Sequence, residues 1–128
     1  MLTPQWTMTK SREHTQWLDV CSVEDIAPGT AAAALVGGEQ VALVRSRDGE
    51  HFYALSNFDP FSKAFVIARG IVGDRGGIAK IASPIYKQSF ALETGQCLDD
   101  AEVRLPVFPV RVVGGRVLIA AVAARRPE

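Results

Sequence analysis

The sequence predicts an all-β fold, an antiparallel β sandwich with a smaller loop-bearing lobe. Apolar residues nowhere recur with helical spacing over ten residues. Short apolar runs instead alternate with glycine-containing turn sequences, which is typical of hairpins. A third observation is one long excursion, residues 57–95, in which two short irregular loops flank a glycine-rich connection. Paired strands would form the sandwich and the excursion would form the lobe.

Composition limits the kinds of function that the chain can have. At 128 residues it is long enough for one compact core. Fourteen basic and fourteen acidic residues leave no charge excess with which to attract nucleic acid. The longest apolar run, residues 117–124, is far below the roughly 18 residues of a membrane span. With no readable secretory signal and two widely spaced cysteines, we predict a cytoplasmic protein that binds neither nucleic acid nor membrane.

Both chain ends are predicted to lie outside the fold. Residues 1–16 are polar and lack periodicity, so they are predicted to be a flexible leader. Residues 125–128 are predicted to be a frayed tail. Residues 17–124 form a single domain in this interpretation, with residues 57–95 as its lobe.

The first predicted elements are a strand and a one-turn helix. Apolar residues alternate over residues 17–21, which indicates a strand. Ser22 can cap a helix, and Asp25 follows three residues later, as in a capping box. Pro28 and Gly29 then end the turn.

Two hairpins follow directly. The first joins residues 31–36 to residues 41–46, and the second joins residues 41–46 to residues 51–56. Asp48-Gly49 in the second turn supplies the positive φ that a tight hairpin turn requires.

A third hairpin is predicted near the end of the domain. It joins residues 107–113 to residues 116–120 across Gly114-Gly115. Pro106 and Pro109 cannot donate to a strand ladder, so the first of these strands is predicted to lie at a sheet edge or to contain a bulge.

The two irregular loops are the candidate site. The first reads Asn57-Phe58-Asp59-Pro60-Phe61, and the second reads Ser83-Pro84-Ile85-Tyr86-Lys87-Gln88. Their order resembles the Rieske iron–sulfur domain, in which a Cys-x-His loop and a Cys-Pro-x-His loop hold a two-iron cluster. The resemblance implies a Rieske-like sandwich and places four residues at the ligand positions: Asn57, Asp59, Ser83 and Tyr86.

These four residues are a poor set of cluster ligands. A Rieske centre takes two thiolates and two imidazoles, whereas the chain offers an amide, a carboxylate, a hydroxyl and a phenol. The Cys and His residues elsewhere lack ligand spacing, and Cys97 is predicted to be a packed thiol. We therefore predict no metal or cofactor in this chain. The four side chains would pair with one another or with water, although turn formation alone would explain Asn57 and Ser83.

A narrower resemblance covers the same region. The runs at residues 57–62, 69–77, 83–88 and 97–100 are similar to those of the small subunit of NAD(P)H-dependent assimilatory nitrite reductase. The resemblance implies a cytoplasmic complex that reduces nitrite to ammonium in nitrogen assimilation. It also implies a large-subunit partner that carries flavin, an iron–sulfur cluster and sirohaem.

The role implied for the small chain is structural or regulatory. No nucleotide loop or acid–base pair is readable, so we predict no catalytic residue and no turnover by the isolated chain. Two alternatives remain open from the sequence. They are a Rieske-type ferredoxin-like electron carrier and a free-standing binding module.

Charged and aromatic residues near the loops suggest a docking surface. Interface energy concentrates at aromatic and arginine-rich patches. The candidates for docking the large subunit are Arg75, Lys87, Phe58 and Phe61. A solvated charged face and core packing of the aromatic rings are the ordinary alternatives.

Overall fold

The computed structural model describes residues 16–121. The predicted tail, residues 122–124 and nearly all of the predicted leader lie outside this range. Within it, no helical segment is long and apolar enough to cross a membrane. Every strand pair that links the named strands is antiparallel, as the sequence predicts. The strands, numbered within this range, are β1 (Trp17–Ser22), β2 (Ala31–Val36), β3 (Glu39–Arg45), β4 (Phe52–Ser56), β5 (Phe58–Asp59), β6 (Ala64–Phe65), β7 (Ile71–Arg75), β8 (Ile78–Ala82), β9 (Ser89–Ala91), β10 (Val107–Phe108), β11 (Val110–Val113) and β12 (Arg116–Ala120).

The predicted helical turn after β1 is present as a single 3-10 turn over Val23–Asp25. The Ser22 backbone N–H donates to the Asp25 carboxylate at 2.9 Å, and the Ser22 hydroxyl accepts from the Glu24 backbone N–H at 3.2 Å. Two otherwise unpaired backbone donors at the start of the turn are satisfied in this way. A second 3-10 turn, Ile67–Arg69, follows β6.

The four-stranded sheet is the middle layer of the domain. Its strand order is β10-β4-β3-β2. All four residues of the run Val41-Ala42-Leu43-Val44 in β3 are buried. Successive side chains of a strand point to opposite faces, so this sheet is covered on both sides.

Each face of the middle sheet has its own hydrophobic cluster. One cluster packs against the sheet β11-β12-β1, and the other packs against the sheet β9-β8-β7 of the loop-bearing region. The first consists of Ile26, Val36, Val41, Leu43, Ala54, Phe108, Val117 and Ile119. The second consists of Ala42, Val44, Leu55, Ile67, Ile81, Phe90, Leu92, Cys97 and Leu105. The loop-bearing region thus shares its core with the sandwich, and Cys97 is a packed thiol as predicted.

The third predicted hairpin needs a correction. Residues 107–113 are not one strand, because β10 pairs with β4 in the middle sheet while β11 pairs with β12 in the other sheet. Pro109 lies between them. Both β10 and β11 are edge strands, so the expectation drawn from the prolines is confirmed. At Pro109 the chain passes from one sheet to the other.

Candidate functional site

The two irregular loops meet at one end of the domain. We call residues 57–66 and 83–88 together the tip. Asp59 is fully buried and Ser83 is 1% exposed. The Ser83 hydroxyl donates to the Asp59 carboxylate with an O···O distance of 2.5 Å. A distance of 2.5 Å is at the short end of the range for hydrogen bonds between two oxygen atoms. One buried contact therefore joins the two loops.

The Asp59 carboxylate accepts two further hydrogen bonds. One oxygen accepts from the Phe61 backbone N–H at 2.9 Å. The other accepts from the Ser62 hydroxyl at 2.9 Å. A buried carboxylate is tolerated when its oxygens are hydrogen-bonded, and here three donors meet it.

Asn57 anchors the first loop to the rest of the domain. Its side-chain oxygen accepts from the Ala68 backbone N–H at 2.7 Å, and its side-chain amide donates to the Gln40 side chain at 3.3 Å. Its backbone N–H donates to the Gln40 carbonyl at 2.9 Å. Asn57 thus connects the middle sheet to the second 3-10 turn. Gln40 was missed from the sequence because nothing there marks a partner 17 residues away.

Tyr86 does not take part in the buried network. Its side chain is 60% exposed, and it has no hydrogen bond to another side chain within residues 16–121. Of the two predicted possibilities, pairing with another side chain or binding water, the structure shows no side-chain pair for Tyr86, and its contact with water stays a prediction. The second loop turns its first residue, Ser83, inward and its fourth residue outward.

Two lysines in the tip have left-handed backbone conformations. Lys63 has a φ of 60° and Lys87 has a φ of 70°. They are the only residues other than glycine with positive φ in the part of the chain that the structure describes. This conformation costs about 1–2 kcal/mol for a residue with a Cβ atom. Glycine would fit both positions with less strain.

The guanidinium of Arg75 is engaged within the chain. It donates to the Asp99 carboxylate at 2.9 Å and to the Leu98 carbonyl at 3.2 Å. The Ser89 backbone N–H donates to the other Asp99 oxygen at 2.8 Å. These contacts hold the pKa of Asp99 below its ordinary value of 3.8, first through the Ser89 N–H and then through Arg75. Arg75 connects β7 to the segment after Cys97.

The two phenylalanine candidates are each partly buried. Phe61 packs against the core ring of Phe90, with ring centroids 6.2 Å apart. The rings of Phe58 and Phe65 contact each other in a tilted arrangement, with centroids 5.1 Å apart. Phe65 is 52% exposed. Of the four predicted docking residues, Lys87 is the one that the structure leaves exposed with no ion pair among residues 16–121.

Comparison with known proteins identifies the class of the domain. Residues 16–120 match the family model of the Rieske-like [2Fe–2S] domain. A crystal structure of a Mycobacterium tuberculosis protein, described as an NADH-dependent nitrite reductase small subunit, is 48% identical and superposes with a TM-score of 0.82. It covers 88% of this chain and all of its own. The fold and the paired loops define a Rieske-like domain.

Curated relatives narrow the class further. The NADH nitrite reductase small subunit of Salmonella typhimurium is 41% identical over 103 residues, which span 80% of this chain and 95% of that protein. The NAD(P)H nitrite reductase large subunit of Klebsiella oxytoca contains a segment 37% identical over 103 residues, which is 11% of its length. This chain belongs to the Rieske-like nitrite reductase small subunit family.

Proposed function

We propose that this chain is the small, non-redox subunit of a cytoplasmic NAD(P)H-dependent nitrite reductase. The complex would reduce nitrite to ammonium in nitrogen assimilation. The flavin, iron–sulfur cluster and sirohaem would lie in the large subunit, and this chain would stabilise or regulate that subunit. The observation that carries the non-redox role is the buried Asp59–Ser83 hydrogen bond, which lies where the two loops of a Rieske iron–sulfur domain hold its cluster.

The residues at this place do not fit a [2Fe–2S] cluster. Such a cluster needs soft thiolates on one iron and imidazoles on the other. Asp59 and Ser83 offer only oxygen atoms as ligands, and these are already hydrogen-bonded to each other. The Asn57 side chain is hydrogen-bonded to the Gln40 side chain and to the Ala68 backbone N–H. Within residues 16–121 no group of three or more His, Cys, Asp or Glu side chains is arranged to hold a metal ion. We therefore assign no electron-transfer step to this chain, which disfavours the ferredoxin-like alternative.

The Klebsiella oxytoca relative supports the choice of partner. Its large-subunit polypeptide includes a segment similar to this chain. Covalent linkage raises the effective concentration of a domain beside the rest of its chain, so a fused arrangement favours contact between the two. A separate small subunit would achieve the same contact by binding, which distinguishes this proposal from a free-standing module.

The proposal predicts that the isolated chain does not oxidise NADH with nitrite. It also predicts a stable complex with the large subunit from the same organism, and a higher thermal midpoint for that subunit, because a ligand of the native state stabilises it. Steady-state NADH oxidation, size-exclusion chromatography and calorimetry would measure these three quantities. The large subunit alone is the control. Nitrite-dependent turnover by the isolated chain, or separate elution of the two proteins, would contradict the proposal.

A further inference from the structure

We propose that five tip residues form the docking surface, and that they bind an acidic patch with an apolar centre on the large subunit. The tip surface consists of Lys63, Phe65, Ile85, Tyr86 and Lys87. This inference rests on the proposed function, because it names the face through which that partner is bound. It keeps Lys87 from the set predicted from the sequence and replaces the other three residues. Arg75 and Phe61 are used inside the domain, and Phe58 is partly buried against Phe65.

The two turns that present the surface are held by the same buried contact. The Lys63 backbone N–H donates to the Asp59 carbonyl at 2.7 Å. The Ile85 backbone N–H donates to the Ser83 hydroxyl at 3.3 Å. Since Ser83 in turn donates to Asp59, both turns are fixed to one hydrogen-bonded pair. The surface is thus organised before any partner arrives, which lowers the entropy lost on binding.

Three residues of the tip surface are exposed and have large apolar side chains. Tyr86 is 60% exposed, Phe65 is 52% exposed and Ile85 is 45% exposed. The two loops that carry them are joined by the Asp59–Ser83 hydrogen bond, and large exposed apolar side chains on neighbouring loops are typical of a protein interface. Tyrosine in particular is enriched among the residues that dominate binding energy.

The charges of the tip surface have one sign. Loop residues 57–66 and 83–88 contain three charged side chains. One of them, Asp59, is buried and accepts three hydrogen bonds. The other two are Lys63 and Lys87, which are exposed. No carboxylate of residues 16–121 forms an ion pair with either lysine. A surface with two such cations and exposed apolar side chains is complementary to an acidic patch that also offers apolar area.

The backbone at both lysines gives a second, independent reason. A lysine with a left-handed backbone lies at each position, although glycine would be less strained there. Strain of this kind is concentrated at functional sites, where the side chain has a use that outweighs it. Gln88, next to Lys87, has a buried side-chain oxygen with no hydrogen-bond partner among the described residues. The positive φ of Lys87 is the feature that places backbone strain in the second loop.

Two sets of variants test the surface against the large subunit. Lys63→Glu and Lys87→Glu reverse the charge and keep a Cβ atom on the strained backbone. Arg47→Glu is the matched control, because Arg47 is exposed beyond the opposite end of β3, a strand of seven residues or about 20 Å. In isothermal titration calorimetry we expect each lysine reversal to weaken binding at least about tenfold and Arg47→Glu by less than about twofold.

Glycine variants separate binding from folding. Lys63→Gly and Lys87→Gly should raise the urea midpoint of the isolated chain, since they relieve the strain, and yet weaken the complex. A purely structural role for the lysines would not produce these opposite changes.

Equal affinities for the lysine reversals and Arg47→Glu would overturn the proposed surface while leaving the proposed function intact. Failure of the unaltered chain to bind would overturn both. Loss of self-association in the reversals, with large-subunit affinity unchanged, would assign the surface to a second copy instead and contradict the proposal.

Discussion

Replacing Gly95 by alanine is expected to destabilise the domain by about 2–5 kcal/mol. Gly95 has a φ of +80°, and an added Cβ atom would lie 2.1 Å from the Leu105 carbonyl oxygen. The contact is with backbone, which cannot move aside as a flexible side chain can. The Leu105 N–H also donates to the Gly95 carbonyl at 2.8 Å, so relief would require breaking that hydrogen bond. Urea unfolding of the isolated chain would measure the loss.

Gly115→Ala is the matched control for this substitution. Gly115 also has a φ of +80°, but nothing lies within 4 Å of the position that its Cβ would occupy. Gly115→Ala should therefore lower the free energy of unfolding only by the cost of the left-handed backbone, about 1–2 kcal/mol. Equal urea midpoints for the two variants would contradict the predicted clash between a Cβ atom at position 95 and the Leu105 carbonyl oxygen.

Replacing Asp59 by alanine is expected to lower the free energy of unfolding by about 2–4 kcal/mol. The substitution removes the acceptor for the Phe61 N–H and for the Ser62 and Ser83 hydroxyls in a buried position. Buried donors without a partner are costly because they have left water and gained nothing. The contact between the two tip loops is lost at the same time. Amide hydrogen exchange should therefore show faster opening of both loops, in addition to a lower urea midpoint.

Asp48→Ala controls for the chemistry of the Asp59 site. Asp48 likewise accepts from a serine hydroxyl, that of Ser46, and from a backbone N–H two residues on, that of Glu50. Its side chain is 63% exposed, so water can replace the carboxylate for these donors. Asp48→Ala should therefore lower the free energy of unfolding clearly less than Asp59→Ala does. A comparable loss at the two positions would mean that burial of the tip network contributes little.

Local turn chemistry made much of the fold predictable. The capping box at Ser22 and the turn at Asp48-Gly49 depend on residues within four positions of one another, and the structure contains both. The passage of the chain between sheets at Pro109 depends on which distant strands pair with β10 and β11. The sequence indicated an edge there, but it carried no information about two different sheets.

The candidate site was predictable in position and only partly in detail. The family resemblance located Asn57, Asp59 and Ser83, all of which are buried at the tip. It could not show that Tyr86 points outward, because a phenol suits a buried or an exposed position equally. The left-handed backbone of Lys63 and Lys87 was also missed. Lysine is not a residue that signals such a conformation, so this feature is visible only in the structure.

The most direct test of a cluster-free tip is the metal content of the chain. Iron, acid-labile sulfide and the visible absorption spectrum would be measured on anaerobically purified protein, before and after incubation with iron and sulfide. The second measurement distinguishes a cluster lost in purification from a site that cannot hold one. Because oxygen donors occupy the ligand positions and Asp59 is already satisfied by Ser83, we expect colourless protein without bound iron or sulfide in both cases. A stoichiometric [2Fe–2S] cluster in either preparation would contradict a non-redox small subunit.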